Sequence, residues 1–240
     1  MREAGDVQQT RATPSHHRQA HHYPQRSRMT IGQQRAWDRG WDRWGADVAD
    51  LPSGPLDTAA WFGRAAPVVL EIGSGMGEST AAMAVAAPDV DHLAVEVYQP
   101  GLAQLLLRIE QAQITNLRLL RGDALMLLTE HVAPGALHAV RAYFPDPWPK
   151  RRHHKRRLVQ PEFIALVTSR LEATGTLHLA TDWESYAEEM LAVCAAEPGL
   201  RNTAPDHGFA PRPAWRPVTK FEQRARDDGR AVRDLLFTRV

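Results

Sequence analysis

Short apolar runs alternate with longer amphipathic stretches along most of this chain. From position 68 onward, apolar runs predict strands at 68–72, 92–97, 117–121, 139–144, 176–181 and 232–239. The spacing of apolar residues between them predicts helical segments at 79–86, 101–113, 125–131, 161–171 and 183–196. Strands that alternate with helices in this way are typical of a mostly parallel sheet with helices on both faces. The pattern therefore predicts an α/β fold.

The N-terminal region has a different pattern. Residues 1–28 contain scattered arginines and histidines and almost no aliphatic side chains, so we predict that they form a disordered basic tail. After it, Trp37, Trp41 and Trp44 follow one another at intervals of four and three residues, which places them on one face of a helix. We expect this short helix to pack its aromatic face against the core of a single domain over residues 29–240.

Composition excludes several classes of protein. The chain contains no apolar run long enough to cross a membrane as a helix, and its polar N-terminus lacks the apolar segment of a secretory signal. The single cysteine, Cys194, excludes a disulfide framework and an all-cysteine metal site. We therefore expect a cytoplasmic protein that does not bind a membrane.

The net charge of +1 conceals a division of the chain into blocks of opposite sign. Residues 1–45, 141–157 and 201–240 carry net charges of +4, +6 and +4, whereas residues 46–140 and 158–200 carry −7 and −6. Basic blocks separated by acidic ones are typical of a protein that contacts a polyanion at several places. Solvated surface faces explain the composition equally well.

A glycine-rich loop follows the first predicted strand. It reads EIGSGMG from Glu71, so Gly73, Gly75 and Gly77 alternate with other residues. Glu78 occupies the position where a dinucleotide-binding loop requires glycine or alanine, and its charge would repel a pyrophosphate at the helix N-terminus. The Gly-Lys-Ser/Thr sequence of a P-loop is also missing. The loop therefore suits a nucleoside without phosphates, and S-adenosylmethionine is the common ligand of that kind.

Carboxylates follow three successive predicted strands. Glu71 can attract the ammonium and sulfonium charges of S-adenosylmethionine, and Glu96 can accept hydrogen bonds from both ribose hydroxyls. Asp123 can accept a hydrogen bond from the adenine amino group. Each acid alone could instead cap the helix that follows it. Three such acids beside an alternating-glycine loop favour a cofactor site.

Three further motifs are more specific than the glycine loop. They read FPDPWPKRRHHKRR from Phe144, ATDWESYA from Ala180 and RPVTKFEQR from Arg216. With these motifs in this order, residues 26–240 closely resemble the bacterial tRNA (guanine-N7-)-methyltransferases. The resemblance implies a doubly wound, mostly parallel seven-stranded sheet of the class I methyltransferase type, with an antiparallel last strand. It also implies transfer of a methyl group from S-adenosylmethionine to N7 of a variable-loop guanine in tRNA.

The resemblance assigns roles to individual residues. The matched cofactor-binding positions are Glu71, Glu96, Asp123 and Asp146, and Asp146 also matches the proposed catalytic residue. The matched substrate-binding positions are Lys150, Asp182, Thr219, Lys220, Phe221 and Glu222. The loop glycines Gly73, Gly75 and Gly77 join the cofactor site. Arg151 and Arg152 join the substrate site, because basic residues on a loop beside the pocket can hold tRNA phosphates.

The chemistry limits what Asp146 can do. Guanine N7 carries no proton, so its in-line attack on the sulfonium methyl group needs no general base, and alignment with electrostatics can supply the catalysis. The Hoogsteen edge of guanine presents only acceptors, so an ionised Asp146 would bind N1–H and the amino group and stabilise the developing positive charge. Asp182 could do the same, and the sequence does not rank the two. A role of Asp146 as a base also stays open.

Two other functions stay open as alternatives. One is a methyltransferase with a different substrate, although the basic loop argues against an uncharged small molecule. The other is a catalytically inactive RNA-binding protein on this fold, although the presence of all the expected acids argues against it. We expect tRNA as the partner and no metal ion, because the transfer needs none. A monomer and a homodimer are equally compatible with the sequence.

Overall fold

The structure is a computed structural model that describes residues 28–240. The predicted basic tail, apart from Arg28, lies outside the described residues. Within those residues the chain forms one eight-stranded sheet. The strands are β1 Gly45–Asp47, β2 Val68–Ile72, β3 Asp91–Glu96, β4 Leu117–Arg121, β5 Leu137–Tyr143, β6 Leu171–Thr181, β7 Leu200–Asn202 and β8 Arg233–Arg239.

The sheet is mostly parallel. Its strand order is β1-β4-β3-β2-β5-β6-β8-β7, and every neighbouring pair from β1 to β6 is parallel. The last strand, β8, is antiparallel to both β6 and β7, as expected. The order reverses at β2, which lies between β3 and β5, and ligands of such sheets bind at the carboxyl ends of the strands beside this switch point.

The sheet has one strand more than the seven expected. Neither β1 nor β7 was predicted, since each has only three residues, which is too short for an alternating pattern to be recognised. Both are edge strands: β1 pairs only with β4 and β7 pairs only with β8.

Eight α-helices accompany the sheet over the described part of the chain. They are α1 Ile31–Trp44, α2 Thr58–Phe62, α3 Glu78–Ala86, α4 Gln99–Ala112, α5 Ala124–Met126, α6 Pro161–Arg170, α7 Glu184–Ala196 and α8 Lys220–Asp227. A π-helical turn, 127–131, extends α5 and completes the helical segment predicted at 125–131. A 3₁₀-helix covers residues 151–156 within the basic loop.

Alternation along the strands sends apolar side chains to both faces of the sheet. On one face, residues such as Leu70 and Val140 pack against α6 and α7. On the other face, Leu117 and Leu119 pack against α4 and α1. The predicted tryptophan helix is α1, and Trp37, Trp41 and Trp44 pack against this second cluster, as expected.

Candidate active site

The glycine loop connects β2 to α3 and has a backbone that only glycine adopts easily. Gly73, Gly75 and Gly77 have φ angles of 79°, 55° and 70°, in the left-handed region. Side-chain atoms added at Gly73 or Gly75 would meet open space, whereas a Cβ at Gly77 would lie 2.5 Å from the Leu105 side chain. The first two glycines therefore leave room for a ligand, and the third permits close packing of the loop on α4.

A fourth glycine, which the sequence analysis did not identify, supports the same loop. A Cβ on Gly101, in the first turn of α4, would lie 2.1 Å from the carbonyl oxygen of Gly75. The backbones of α4 and the glycine loop therefore touch directly. The sequence offers no signal for this contact, because it joins segments 26 residues apart in the chain.

Glu96, the last residue of β3, holds the glycine loop from the opposite side. Its Oε2 accepts a hydrogen bond from the Gly75 N–H at 2.9 Å, and its Oε1 accepts from the N–H groups of Val97 and Tyr98 at 2.7 and 2.9 Å. The carboxylate is nearly buried, with 5% of the residue exposed. Each carboxylate oxygen has two lone pairs, so Oε2 retains capacity for a ligand hydroxyl.

Asp123, which follows β4, begins the next helical segment. Its Oδ1 accepts hydrogen bonds from Leu125 N–H at 2.7 Å and Met126 N–H at 3.2 Å. Asp123 is thus the N-cap of α5, which is the alternative role considered for a strand-end acid. Both hydrogen bonds use one oxygen, and the residue also lines the pocket described below.

Glu71 lies within β2, beneath the glycine loop, and is not part of the pocket lining. The residue is 5% exposed, and its Oε2 has no hydrogen-bond partner. Burial raises the pKa of Glu71 to about 7, although Thr80 and the positive charge of Arg141 act in the opposite direction. The pKa of this buried acid therefore lies close to neutral pH, and a nearby positive charge would favour its ionised form.

The loop and the strand-end acids meet at one pocket at the carboxyl ends of β2, β3, β4 and β5. Four predicted site residues line it: Gly73, Glu96, Asp123 and Asp146. Val97 and Leu125 add apolar surface, and they are 37% and 50% exposed. Acceptors for hydroxyl and amino groups, apolar side chains for a flat ring and an open backbone loop together fit the nucleoside part of S-adenosylmethionine.

The PDPW motif forms the other wall of the pocket, with a strained backbone. Phe144, which precedes the motif, and Trp148, which ends it, have φ angles of 52° and 43°. Such positive φ angles are uncommon for aromatic residues. The buried guanidinium of Arg157 donates a hydrogen bond from Nε to the Pro147 carbonyl at 2.9 Å and forms an ion pair with Glu189 on α7. Tertiary contacts thus hold the motif in a conformation that its sequence alone would not favour.

The two candidate catalytic acids have different environments. Asp146 is exposed, lines the pocket and makes no hydrogen bond or ion pair with any side chain among residues 28–240. Asp182, after β6, forms an ion pair with Arg230 and does not line the pocket. The geometry therefore favours Asp146 as the group that meets a base in this pocket.

The basic loop lies at the rim beside the PDPW motif. Lys150, Arg151 and Arg152 are exposed, as expected for phosphate contacts. The Arg156 guanidinium lies over the Trp148 ring, 5.0 Å from its centroid, and both residues line the pocket. Arg157 differs from the other basic residues of the loop, since its buried side chain anchors the motif and cannot reach a phosphate.

The TKFE motif begins helix α8, which packs beside the PDPW motif and lies outside the pocket lining. Thr219 caps the helix by accepting the Glu222 N–H at 3.0 Å. Phe221 stacks on Phe144 at a centroid distance of 6.1 Å, and Lys220 Nζ lies 3.6 Å from Glu78 at the start of α3. Glu222 is 1% exposed, so the structure buries this member of the motif and leaves Lys220 and Phe221 exposed next to the pocket-lining Phe144.

The described residues offer neither a metal site nor a membrane-spanning helix. Over residues 28–240 there is no cluster of three or more histidine, cysteine, aspartate or glutamate side chains that could hold a metal ion. In the same range, no helix is long and apolar enough to span a membrane.

Comparisons with known proteins identify relatives. Residues 65–235 match the family Methyltransf_4, described as "Putative methyltransferase". The tRNA (guanine-N(7)-)-methyltransferase of Streptomyces coelicolor is 54% identical over 217 residues, which are 90% of this chain and 79% of that protein. The Pseudomonas aeruginosa protein of the same name is 52% identical and covers 89% of this chain and 86% of its own length.

Among solved structures, the fold is similar to that of the 16S rRNA methyltransferase KamB. The TM-score is 0.53 at 14% identity, over 77% of this chain and 94% of that one. A match at this identity shows the fold alone, which is that of the class I methyltransferases. Together with the close relatives, it leads to one conclusion: this chain belongs to the family of tRNA (guanine-N7-)-methyltransferases.

Proposed function

We propose that this protein transfers the methyl group of S-adenosylmethionine to N7 of a variable-loop guanine in tRNA, in the cytoplasm. One observation carries the proposal beyond family membership: a single pocket is lined by the carboxylates of Glu96 and Asp123 and by Asp146 and Trp148 of the PDPW motif. A cofactor site and a base site that share one pocket can bring a methyl group and a nucleophile together.

The cofactor end of the pocket is assigned to the glycine loop and the acids. S-adenosylmethionine supplies an electrophilic methyl group on a sulfonium centre. Glu96 would accept the ribose hydroxyls, Asp123 the adenine amino group, and the positive φ of Gly73 and Gly75 leaves the backbone open to the ligand. The buried Glu71 would attract the positive charge of the ligand from below the loop.

The base end is assigned to Asp146 and Trp148. Trp148 offers a ring face for stacking of an extruded guanine, and Arg156 lies against that ring. Asp146 would accept hydrogen bonds from guanine N1–H and the amino group, and its negative charge would stabilise the cation that develops on the purine. No proton must leave N7, so Asp146 acts by orientation and charge.

The tRNA backbone is assigned to the basic rim. Lys150, Arg151 and Arg152 on the exposed 3₁₀-helical loop would contact phosphates on one side. Lys220 and Phe221 on α8 would contact the nucleic acid on the other side, where both are strongly exposed. The pocket then lies between two substrate-facing segments.

The test is methyl transfer from labelled S-adenosylmethionine into tRNA that lacks the modification, with the modified base identified by nuclease digestion and mass spectrometry. We expect 7-methylguanosine in the variable loop, and no label in a tRNA whose variable-loop guanine is replaced by adenine. Label in another macromolecule would favour a methyltransferase with a different substrate. Tight tRNA binding without transfer would favour the inactive RNA-binding protein.

A further inference from the structure

Helix α8 has almost no apolar surface with which to pack. Its eight residues, KFEQRARD, include only two apolar side chains: Ala225 is buried, whereas Phe221 is 61% exposed. The other buried residue of the helix is Glu222. Because an isolated helix of this length is unstable in water, polar contacts must hold α8 at the rim of the pocket.

Arg216 makes the strongest of these contacts. It is completely buried, and three of its nitrogens donate hydrogen bonds: Nη1 to Glu222 Oε2 at 2.6 Å, Nε to Asp234 Oδ1 at 2.8 Å and Nη2 to Asp234 Oδ2 at 2.9 Å. Glu222 belongs to α8 and Asp234 to β8. One planar guanidinium therefore joins the helix to the sheet with directional bonds.

The sheet end of this contact reaches the wall of the pocket. His178 Nε2 lies 2.7 Å from Asp234 Oδ1, and His178 Nδ1 lies 2.9 Å from the hydroxyl oxygen of Tyr143. Burial lowers the pKa of His178, so the ring is neutral and donates from Nε2 to the carboxylate, while Nδ1 accepts from Tyr143. Tyr143 lines the pocket and precedes the PDPW motif. Hydrogen bonds and ion pairs thus connect α8 to the pocket lining without interruption.

We propose that Arg216 is a positioning residue that fixes α8 against the PDPW wall, and that Glu222 contributes to tRNA recognition through this buried ion pair. The side chains that α8 presents to the outside would then be the ones that touch tRNA: Lys220, Phe221, Arg224 and Arg226. Glu222 also forms an ion pair with Arg226, one turn further along the helix, so its charge orients a basic side chain towards the surface. This proposal rests on the proposed function for its substrate.

The test compares Arg216→Lys, Arg216→Met and the double variant Arg216→Met/Glu222→Gln. We expect Arg216→Lys to lower kcat/KM for tRNA by roughly 10²-fold, the cost typical of a small displacement of a positioned group, and to leave the dissociation constant for S-adenosylmethionine unchanged. Amide hydrogen exchange over residues 219–230 should become faster, while exchange in β2 and β3 stays the same. The double variant should bind tRNA about as tightly as Arg216→Met, because the ion pair between Glu222 and Arg216 is already broken in Arg216→Met.

The control is Asp91→Asn, which removes the charge of another buried carboxylate, at the amino-terminal end of β3, where Asp91 meets the exposed Arg64 at 2.6 Å. It should lower the melting temperature without changing kcat/KM for tRNA. The proposal is overturned if Arg216→Lys loosens α8 but retains wild-type kcat/KM, or if Asp91→Asn loses as much activity as Arg216→Lys. It is also overturned if the double variant binds tRNA more weakly than Arg216→Met, since Glu222 would then act independently of Arg216. If the wild-type protein transfers no methyl group, the proposed function fails, and hydrogen exchange with tRNA affinity still tests the role of Arg216.

Discussion

The two walls of the pocket are built by different means. The cofactor wall consists of regular strand-to-helix turns, in which glycines with positive φ and one carboxylate, that of Glu96, fix the loop through backbone hydrogen bonds. The proposed substrate wall consists of the PDPW motif, which lines the pocket, together with α8, which stacks on Phe144 through Phe221. Buried arginines, Arg157 and Arg216, hold these two segments. The first wall depends on backbone geometry, and the second depends on charges that are buried in pairs.

This difference teaches how each wall can fail. A loop held by its own backbone tolerates changes at the surface and fails when a glycine or its carboxylate partner changes. A segment held by a buried guanidinium fails when either charge is removed, because the remaining charge stays buried without a partner. Substitutions should therefore separate cofactor affinity from tRNA turnover, according to the wall that they affect.

The largest effect should come from Asp146→Asn, at the base end of the substrate wall. The variant keeps the shape of the side chain but loses its charge and turns a donor towards the donors of guanine. We expect the single-turnover methylation rate to fall by about 10²–10³, with unchanged affinity for S-adenosylmethionine. Between pH 6 and 9 the variant should show no new basic limb, since N7 loses no proton. A wild-type rate that rises with one titration and becomes flat in the variant would instead identify a general base.

The second effect concerns Glu71, in the cofactor wall. Its folded-state pKa is raised from 4.5 to about 7 by burial, so between these values the unfolded chain releases the proton while the folded protein keeps it. Stability is therefore lost as the pH rises from about 4.5 to 7 and stays low above that. Glu71→Gln should remove this loss and be more stable than wild type at pH 8 by up to about 3 kcal/mol.

Denaturant unfolding at pH 5 and pH 8 checks this prediction. The advantage of Glu71→Gln should be small at pH 5 and large at pH 8, whereas Glu188→Gln, exposed on α7, should match wild type at both. An advantage that does not change with pH would contradict it. The same variant should bind S-adenosylmethionine more weakly, because the buried negative charge is gone.

A smaller effect is expected for Glu96→Gln. The amide oxygen can still accept from Val97 and Tyr98, but the amide nitrogen cannot accept from Gly75 or from a ribose hydroxyl. We expect a loss of about 1.5–3 kcal/mol in cofactor binding, measured by calorimetry. Glu110→Gln, which affects only a surface ion pair with Arg39, is the control. Unchanged affinity in folded Glu96→Gln would remove Glu96 from the cofactor site.

The smallest effect is electrostatic and concerns the basic loop. Arg151→Ala should weaken tRNA binding and reduce the slope of log affinity against log salt by ~0.7–0.9, the value for one lost phosphate contact. Arg201→Ala, exposed on edge strand β7, should leave the slope unchanged. Equal slopes for the two variants would mean that the loop is only a solvated surface.

Much of the cofactor wall could be predicted from the sequence, because local patterns encode it. The bounds of β2 and β4 are those predicted from their apolar runs, and the alternating glycines adopt the left-handed φ that makes glycine necessary. Asp123 caps α5, which is one of the two roles considered for it, and it lines the pocket, as the cofactor-binding role requires. The edge strands β1 and β7 were not predicted, because a strand of three residues is too short to show an alternating pattern.

The substrate wall was harder to predict for physical reasons. Helix α8 has only two apolar residues, Phe221 and Ala225, so its sequence offers the Thr219-x-x-Glu222 capping pattern but an apolar period too short to predict a helix. Arg216, Glu222 and Asp234 belong to residue types that are normally exposed, and only the tertiary structure shows that they neutralise one another in the interior. The resemblance assigns Glu222 to the substrate site. The structure shows that its buried side chain meets Arg216 and Arg226.

The arrangement of the last two strands has an evolutionary consequence. Strands β7 and β8 are antiparallel neighbours, and the chain between them, residues 203–232, leaves the sheet and returns beside the strand that it left. Such an excursion can lengthen, shorten or be exchanged without altering the order of any strand. Because this segment carries α8 and Arg216, changes in its length or sequence would alter the proposed substrate wall without moving the strands that carry Glu96 and Asp123. The surface offered to nucleic acid can therefore vary independently of the proposed cofactor site.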